Sequence, residues 1–125
     1  MGKKYLIDTN VLIDYQTQSI QQQGQEYVAG IIDDSFTVSF ISYIEFLGYA
    51  NVSDAMENFI KLATVIKVDK NIINQTIKLR KTSRIKLPDA IIAATAIVNN
   101  LTLISRNFKD FKKIANLETI DPHSL

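Results

Sequence analysis

The residues of this sequence best suited to chemistry are three acids set among apolar neighbours. Asp8 closes the run Tyr5-Leu6-Ile7, Glu45 lies within Phe40-Ile41-Ser42-Tyr43-Ile44-Glu45-Phe46-Leu47, and Asp89 opens Asp89-Ala90-Ile91-Ile92-Ala93-Ala94. A carboxylate in such a setting loses its hydration, and it is retained only where a cation or strong hydrogen bonds replace the water. Three of them suggest one shared cation. If they converge within about 4 to 5 Å, each ionised pair repels by roughly 3 to 4 kcal/mol at an effective dielectric near 20. That is a serious load for a domain whose whole stability is about 5 to 15 kcal/mol. A divalent ion removes the conflict. Carboxylate and water ligands favour Mg²⁺ or Mn²⁺, hard cations that also contact phosphates, and the matching chemistry is phosphodiester hydrolysis by a metal-activated water.

Simpler uses compete with this reading. Asp8 is also a natural N-cap for a following helix, and Asp89, beside Pro88 in a first helical turn, suits the helix dipole. Glu45 is harder to explain away. Its neighbours one helical turn off are Ile41, Gly48 and Tyr49, and no basic residue lies within helical reach, so an unpaired carboxylate there would protonate or be costly. Ala93 and Ala96, four and seven residues beyond Asp89, are small enough to leave room beside its carboxylate.

The elements that must hold these acids follow from local pattern. Tyr5-Leu6-Ile7 reads as a buried strand, and Asp8-Thr9-Asn10 caps a helix through Val11-Leu12-Ile13-Asp14-Tyr15. Gln16 to Gln25 reads as an exposed connection or helix start ahead of Tyr27, Val28, Ile31 and Ile32. Phe36 to Phe40 predicts a second strand, then helices from about Ser42 to Asn51 and Asp54 to Leu62, and Val65 to Val68 a third strand. Asp69 caps a helix carrying Ile72, Ile73, Ile77 and Leu79. Pro88 starts the next, which Asn99-Asn100 ends before the strand Leu101 to Ile104, and Glu118 to Ile120 predicts a last short strand. This alternation predicts an α/β fold, a single domain over 1–125 with a mainly parallel central sheet of four to five strands flanked by helices. Ligands of such sheets gather beyond the carboxyl ends of the strands, where Asp8 and Ser105-Arg106-Asn107 fall.

Composition narrows the chemistry further. A chain of 125 residues, 46% apolar, fits one domain, and no apolar stretch reaches the roughly 18 residues of a membrane span. Met-Gly-Lys-Lys leads into only three apolar residues before Asp8, unlike a secretory signal, so cytoplasmic residence is expected. With no cysteine and one histidine, any metal must be held by oxygen. The charge is uneven: residues 1–69 carry four basic and nine acidic side chains, whereas 70–113 carry ten basic and two acidic. The second segment offers a basic face for a polyanion, although Lys78, Arg80, Lys81, Arg84 and Lys86 also suit the solvated side of a helix and its turn. The aromatic residues lie mostly in apolar runs and read as core. His123, in a polar tail, reads as unrelated to the chemistry.

Taken together in order, Leu6-Ile7-Asp8-Thr9-Asn10, Ser42-x-x-Glu45 after Ile41, Leu87-Pro88-Asp89-Ala90 through Ala96, and Leu101-x-x-x-Ser105-Arg106-Asn107 into Phe108-Lys109-Asp110-Phe111 resemble a PIN domain. The nearest group is similar to the VapC-type ribonuclease toxins of toxin-antitoxin pairs. The resemblance implies that Asp8, Glu45 and Asp89 are the acidic metal-site residues for Mg²⁺ or Mn²⁺ and that Thr9 steadies the first carboxylate; Arg106, following a strand end beside the inferred site, is the best candidate for a contact to RNA phosphate, with a surface cation as its alternative role. The resemblance further implies an RNA substrate cut to a 5′-phosphate and a 3′-hydroxyl, a cognate antitoxin reaching the acidic site, and a homodimer. Asn107 stands where the family commonly has a fourth acid, and Asp110 follows three residues later. An amide oxygen holds a second metal more weakly, so one metal is expected.

Two other readings remain. A non-catalytic RNA- or protein-binding module would keep the fold and its basic segment, and the Asn107 departure keeps it open. An aspartyl phosphatase or phosphoacceptor would use Asp8 at the end of its first strand, but leaves Glu45 without a role.

Overall fold

The computed structural model describes residues 2–125 as alternating strands and helices. The strands are β1 (Tyr5–Ile7), β2 (Thr37–Ser39), β3 (Thr64–Ile66), β4 (Thr102–Ile104) and β5 (Thr119–Ile120). The helices are α1 (Thr9–Gln16), α2 (Gln22–Ser35), α3 (Phe40–Leu47), α4 (Asp54–Ile60), α5 (Lys70–Thr82), α6 (Leu87–Val98) and α7 (Phe108–Phe111), followed by a 3₁₀ turn at Pro122–Ser124. The α/β alternation matches the sequence pattern. Helix α7 and the closing turn were not expected from it, being too short to show a period.

Every strand pair is parallel: β1, β4 and β5 form one ladder with β4 at its centre, and β2 pairs with β3 in a second, with β2 packed beside β1. The expected sheet of four to five strands is therefore divided into a three-stranded and a two-stranded ladder. Side chains alternate across a strand, so Leu6 and Leu103 face a layer containing Ile72, Leu79, Ile92 and Phe111, whereas Ile7 and Ile104 face Val11, Val28, Phe46 and Ile60. Helices thus cover both faces. That is why the strands read as unbroken apolar runs rather than as alternating ones.

Local signals set the helix ends that matter for the acids. Ser39 accepts the Ser42 N–H at 3.0 Å, starting α3 directly from β2. Asp69 caps α5 through the Ile72 N–H at 2.8 Å, and Arg80 Nη1 donates to the Ile85 carbonyl at 2.7 Å, tying the turn that delivers α6. Asn100, at φ 58°, takes the left-handed conformation that ends α6, and the Leu101 N–H returns to the Ala96 carbonyl at 2.8 Å.

Two expectations need correction here, for Ala93 and Ala96 and for Gln16 to Gln25. Ala93 and Ala96 are fully buried within the core rather than beside an open site; their small size lets α6 pack closely on the sheet and α5. On α5, Ile72 and Leu79 are buried, but Ile73 and Ile77 face outward at 48% and 49% exposure. The stretch Gln16 to Gln25 is not merely a solvated connection. Ile20 and Gly24 are buried, and a Cβ on Gly24 would stand 2.0 Å from the Pro122 carbonyl oxygen, so only glycine lets the C-terminal turn sit there. Among the described residues, no helix is long and apolar enough to cross a membrane.

Candidate functional site

Register builds the centre of the site. Ile7 is paired with Ile104, and the Asp8 N–H donates to the Ile104 carbonyl at 2.9 Å, so the next step along each strand sets Asp8 beside Ser105. Asp8 is only 4% exposed. Its Oδ2 accepts from Ser105 Oγ at 2.7 Å and, more weakly, from Asn10 Nδ2 at 3.3 Å, while Oδ1 accepts the Thr9 N–H at 2.7 Å. Asp8 therefore caps α1 and lines the cleft with one side chain. Every donor it has is neutral. Burial pushes its carboxyl up from 3.8 to about 6, the Ser105 and Thr9 hydrogen bonds pull the other way, and the charges of Asp89 and Glu45 add to the rise.

Thr9 links two of the acids. While its N–H serves Asp8, its hydroxyl donates to Glu45 Oε1 at 2.6 Å, which brings α1 and α3 together at the rim. Glu45 itself is exposed, contrary to its apolar surroundings in the sequence. The reason is geometric: α3 buries Ser42 and Phe46, and its other side, with Ile44 at 61% exposure, is turned to solvent. Asp89, in the first turn of α6, is half-buried. Its carboxyl is raised by burial first and then by Glu45 and Asp110, with Lys86 opposing.

Asp8, Glu45 and Asp89 share an open cleft of about 450 Å³ with Thr9, Asn10 and Arg106, and Ile13, Asp14 and Tyr49 complete its walls. Of the residues singled out in the sequence, these three acids, Thr9 and Arg106 come together. Asp110 is exposed on α7 and acts on Asp89 through its charge without lining the cleft. Asn107 is not brought into the cleft. Its N–H bonds to Ser105 Oγ at 3.0 Å, and the residue lines a neighbouring cavity.

The donors suit a hard divalent ion in kind, since they are carboxylate oxygens with hydroxyls and an amide close by. The electrostatics suit it too, because the buried Asp8 carboxylate faces like charges and only neutral donors. Among the described residues, no three Asp, Glu or His side chains already stand close enough to cage an ion. Their hydrogen bonds run to Thr9 and Ser105 instead.

Sequence reasoning missed a second cluster next to this one. Asp14 is buried on α1, and its carboxylate accepts from Arg106 Nη1 at 3.0 and 3.2 Å and lies 2.8 Å from His123 Nε2. The tail histidine thus supports a wall of the cleft through Asp14 without lining the cleft itself. Asn10 joins the same assembly, its Oδ1 accepting the Arg106 N–H at 3.1 Å. A signal for Asp14 was present: it is an acid inside an apolar helix, the same pattern that drew attention to Glu45. Ser105, already placed with Asp8 beyond the strand ends by the sequence, follows β4 level with Asp8 and takes the added role of holding its carboxylate.

Comparison with known proteins agrees with this geometry. Ribonuclease VapC1 of Methanocaldococcus jannaschii is 26% identical over 117 residues, covering 89% of this chain and 81% of that protein. A toxin-antitoxin complex from Klebsiella pneumoniae contains a chain that superposes with a TM-score of 0.75 at 28% identity, covering 95% of this chain and 98% of its own. VapBC-1 from nontypeable Haemophilus influenzae superposes with a TM-score of 0.76 at 27% identity, covering 94% and 97%. The PIN domain pattern itself matches residues 5–117, from the first strand to the segment just before the last. On that match, which spans both ladders' central elements and every acid of the cleft, the chain belongs to the PIN domain family.

Proposed function

We propose that this protein is an endoribonuclease dependent on Mg²⁺ or Mn²⁺, the toxin half of a toxin-antitoxin pair, acting on RNA phosphodiester bonds. One observation carries the reading: Asp8 is buried among neutral donors, the charges of the acids Asp89 and Glu45 raise its carboxyl, and no cation pairs with it among the described residues. Likeness to a named ribonuclease and to chains of toxin-antitoxin complexes supports it.

In this reading Asp8, Glu45 and Asp89 hold the metal, and Asp110 adds negative charge at the same side. When bound, the ion supplies an activated water and neutralises charge on the phosphoryl and leaving oxygens. The chain's own residues do the positioning. Ser105 and the Thr9 N–H fix the Asp8 carboxylate, the Thr9 hydroxyl holds Glu45, and Arg106 at the rim receives a phosphate of the RNA. In the reaction a water oxygen bonds to phosphorus as the bond to the ribose 3′ oxygen breaks. The products are a 5′-phosphate and a 3′-hydroxyl.

The expected partners are an antitoxin that reaches the acidic cleft and a second copy of the chain, all in the cytoplasm. An outward apolar patch on α5 and α6, with Ile73, Ile77 and Leu87 about half exposed, supports a protein partner. The pure protein is expected to cleave RNA with Mg²⁺ or Mn²⁺, to stop in chelator, and to lose cleavage in Asp89→Asn with the fold intact by circular dichroism. Cleavage that persists without divalent metal overturns the nuclease reading. Calorimetry finding no Mn²⁺ site, with RNA affinity retained, favours the non-catalytic binding module, for which Asn107 in place of an acid is the supporting feature.

A further inference from the structure

The acidic cleft does not end at Arg106. On the other side of that residue lies a second cavity, of about 580 Å³, lined by Arg106, Asn107, Phe108, Lys109, Asp121 and Ser124. Its volume falls within the range of small-ligand sites. We propose that this cavity seats the unpaired RNA nucleotide next to the phosphodiester held in the acidic cleft, with its phosphate on Arg106 and Lys109 and its base stacked on Phe108. The proposal rests on the nuclease reading for its direction along the strand, and it adds the side chains that seat an unpaired nucleotide there: Phe108 for the base, Arg106 and Lys109 for its phosphate.

The chemistry of the lining points this way. Phe108 and Phe111 lie on the same short helix, yet Phe111 is fully buried in the core and Phe108 is 42% exposed. An exposed ring at a cavity wall is what a nucleobase stacks on, and a base is free to do so only when it is unpaired. Lys112 Nζ stands 6.0 Å from the Phe108 ring centre, adding a cation at the edge of the same surface.

Arg106 is anchored but not used up. Asp14 accepts from its Nη1, and among the described residues its Nε and Nη2 make no hydrogen bond, while the side chain is 56% exposed. A guanidinium held by one nitrogen keeps its remaining donors aimed, which suits the fixed fork geometry of a phosphate contact. Arg106 lines both cavities, so a strand contacting it in one continues into the other. Asp121 is the one acid in this lining and is outnumbered by the cations Arg106 and Lys109; its carboxylate is fixed by the His123 N–H on Oδ1 at 2.9 Å and by Ser124 Oγ, 3.4 Å from Oδ2.

The test measures binding of a fluorescein-labelled oligouridylate of about ten nucleotides to the full chain carrying Asp89→Asn, alongside an RNA duplex of equal length. Phe108→Ala is expected to weaken single-strand binding by about 10-fold or more, Phe108→Tyr to restore it, and duplex binding to change little. Lys109→Ala is expected to lower the salt dependence of single-strand binding by about 0.7 in log-log slope. Unchanged oligouridylate affinity in Phe108→Ala, or an equal loss for duplex and single strand, overturns the proposal. The wild-type chain then separates the two readings. Cleavage of RNA with Mn²⁺, with KM unaltered by Phe108→Ala, sinks the nucleotide seat alone, whereas absence of any wild-type cleavage sinks the nuclease reading whatever the binding result.

Discussion

Asp8 and Asp14 stand at opposite ends of the same two-turn helix, and both are buried, at 4% and 7% exposure, yet their surroundings are opposite. Asp14 is met by Arg106 and His123, so its charge is answered within the protein. Asp8 is met by a serine hydroxyl, a backbone N–H and an amide, and its charged neighbours are the acids Asp89 and Glu45. The first arrangement ties the C-terminal turn and Arg106 to α1. The second leaves a charge with no paired cation among the described residues. On the proposed function, burial alone therefore does not single out the metal-holding carboxylate; burial without an internal cation does.

The sharpest contrast should appear in activity. Asp8→Asn is expected to reduce RNA cleavage by more than about 100-fold, since even groups that only support a metal ligand cost about 10- to 100-fold when removed. Asp14→Asn, which still offers Arg106 an acceptor, is expected to lose no more than about 10-fold. Equal losses in an initial-rate assay would mean that the two aspartates are not divided as described.

Acidity provides the next contrast. The native Asp8 carboxyl binds its proton more tightly than in the unfolded chain, so the metal-free protein loses stability as pH rises through the window from 3.8 to about 6. The full loss is about 3 kcal/mol, and Asp89, also raised, acts in the same direction. Thermal melts in chelator should therefore show the melting temperature falling across that window. The fall should flatten in Asp8→Asn and on adding Mn²⁺, but not in Asp14→Asn.

Smaller effects belong to the paired aspartate. Asp14→Ala is expected to destabilise by about 1 to 3 kcal/mol in denaturant unfolding, because Arg106 and His123 lose their shared acceptor. His123→Gln, which removes one partly exposed member of the cluster, should cost less than about 1 kcal/mol. A His123 variant as damaging as Asp14→Ala would place the support of α1 in the tail rather than in the Arg106 pair.

Much of the positioning was legible from short range. The strand at Tyr5–Ile7, the caps at Asp8 and Asp69, the Pro88 start and the Asn99-Asn100 stop of α6 all depend on neighbours within one turn, and all are found in the structure. Glu45 misled because a helix surrounded in sequence by apolar residues still has an outer side, and α3 lays that side against solvent. The contact of His123 with Asp14 was not legible because nothing within its own segment indicates a partner 109 residues away.

Residue order was enough to decide the alternation of strands and helices, the oxygen-only character of any metal site and the identity of the acids at the strand and helix ends. Those follow from backbone preferences, capping and the lack of cysteine, which act along the chain. Which carboxylates face one another, which one finds a cation, and which phenylalanine is left outside were decided only when β1 and β4 came into register and α3, α6 and the C-terminal turn closed around them. Charge acts through space, and the distances that set its strength exist only in the folded chain.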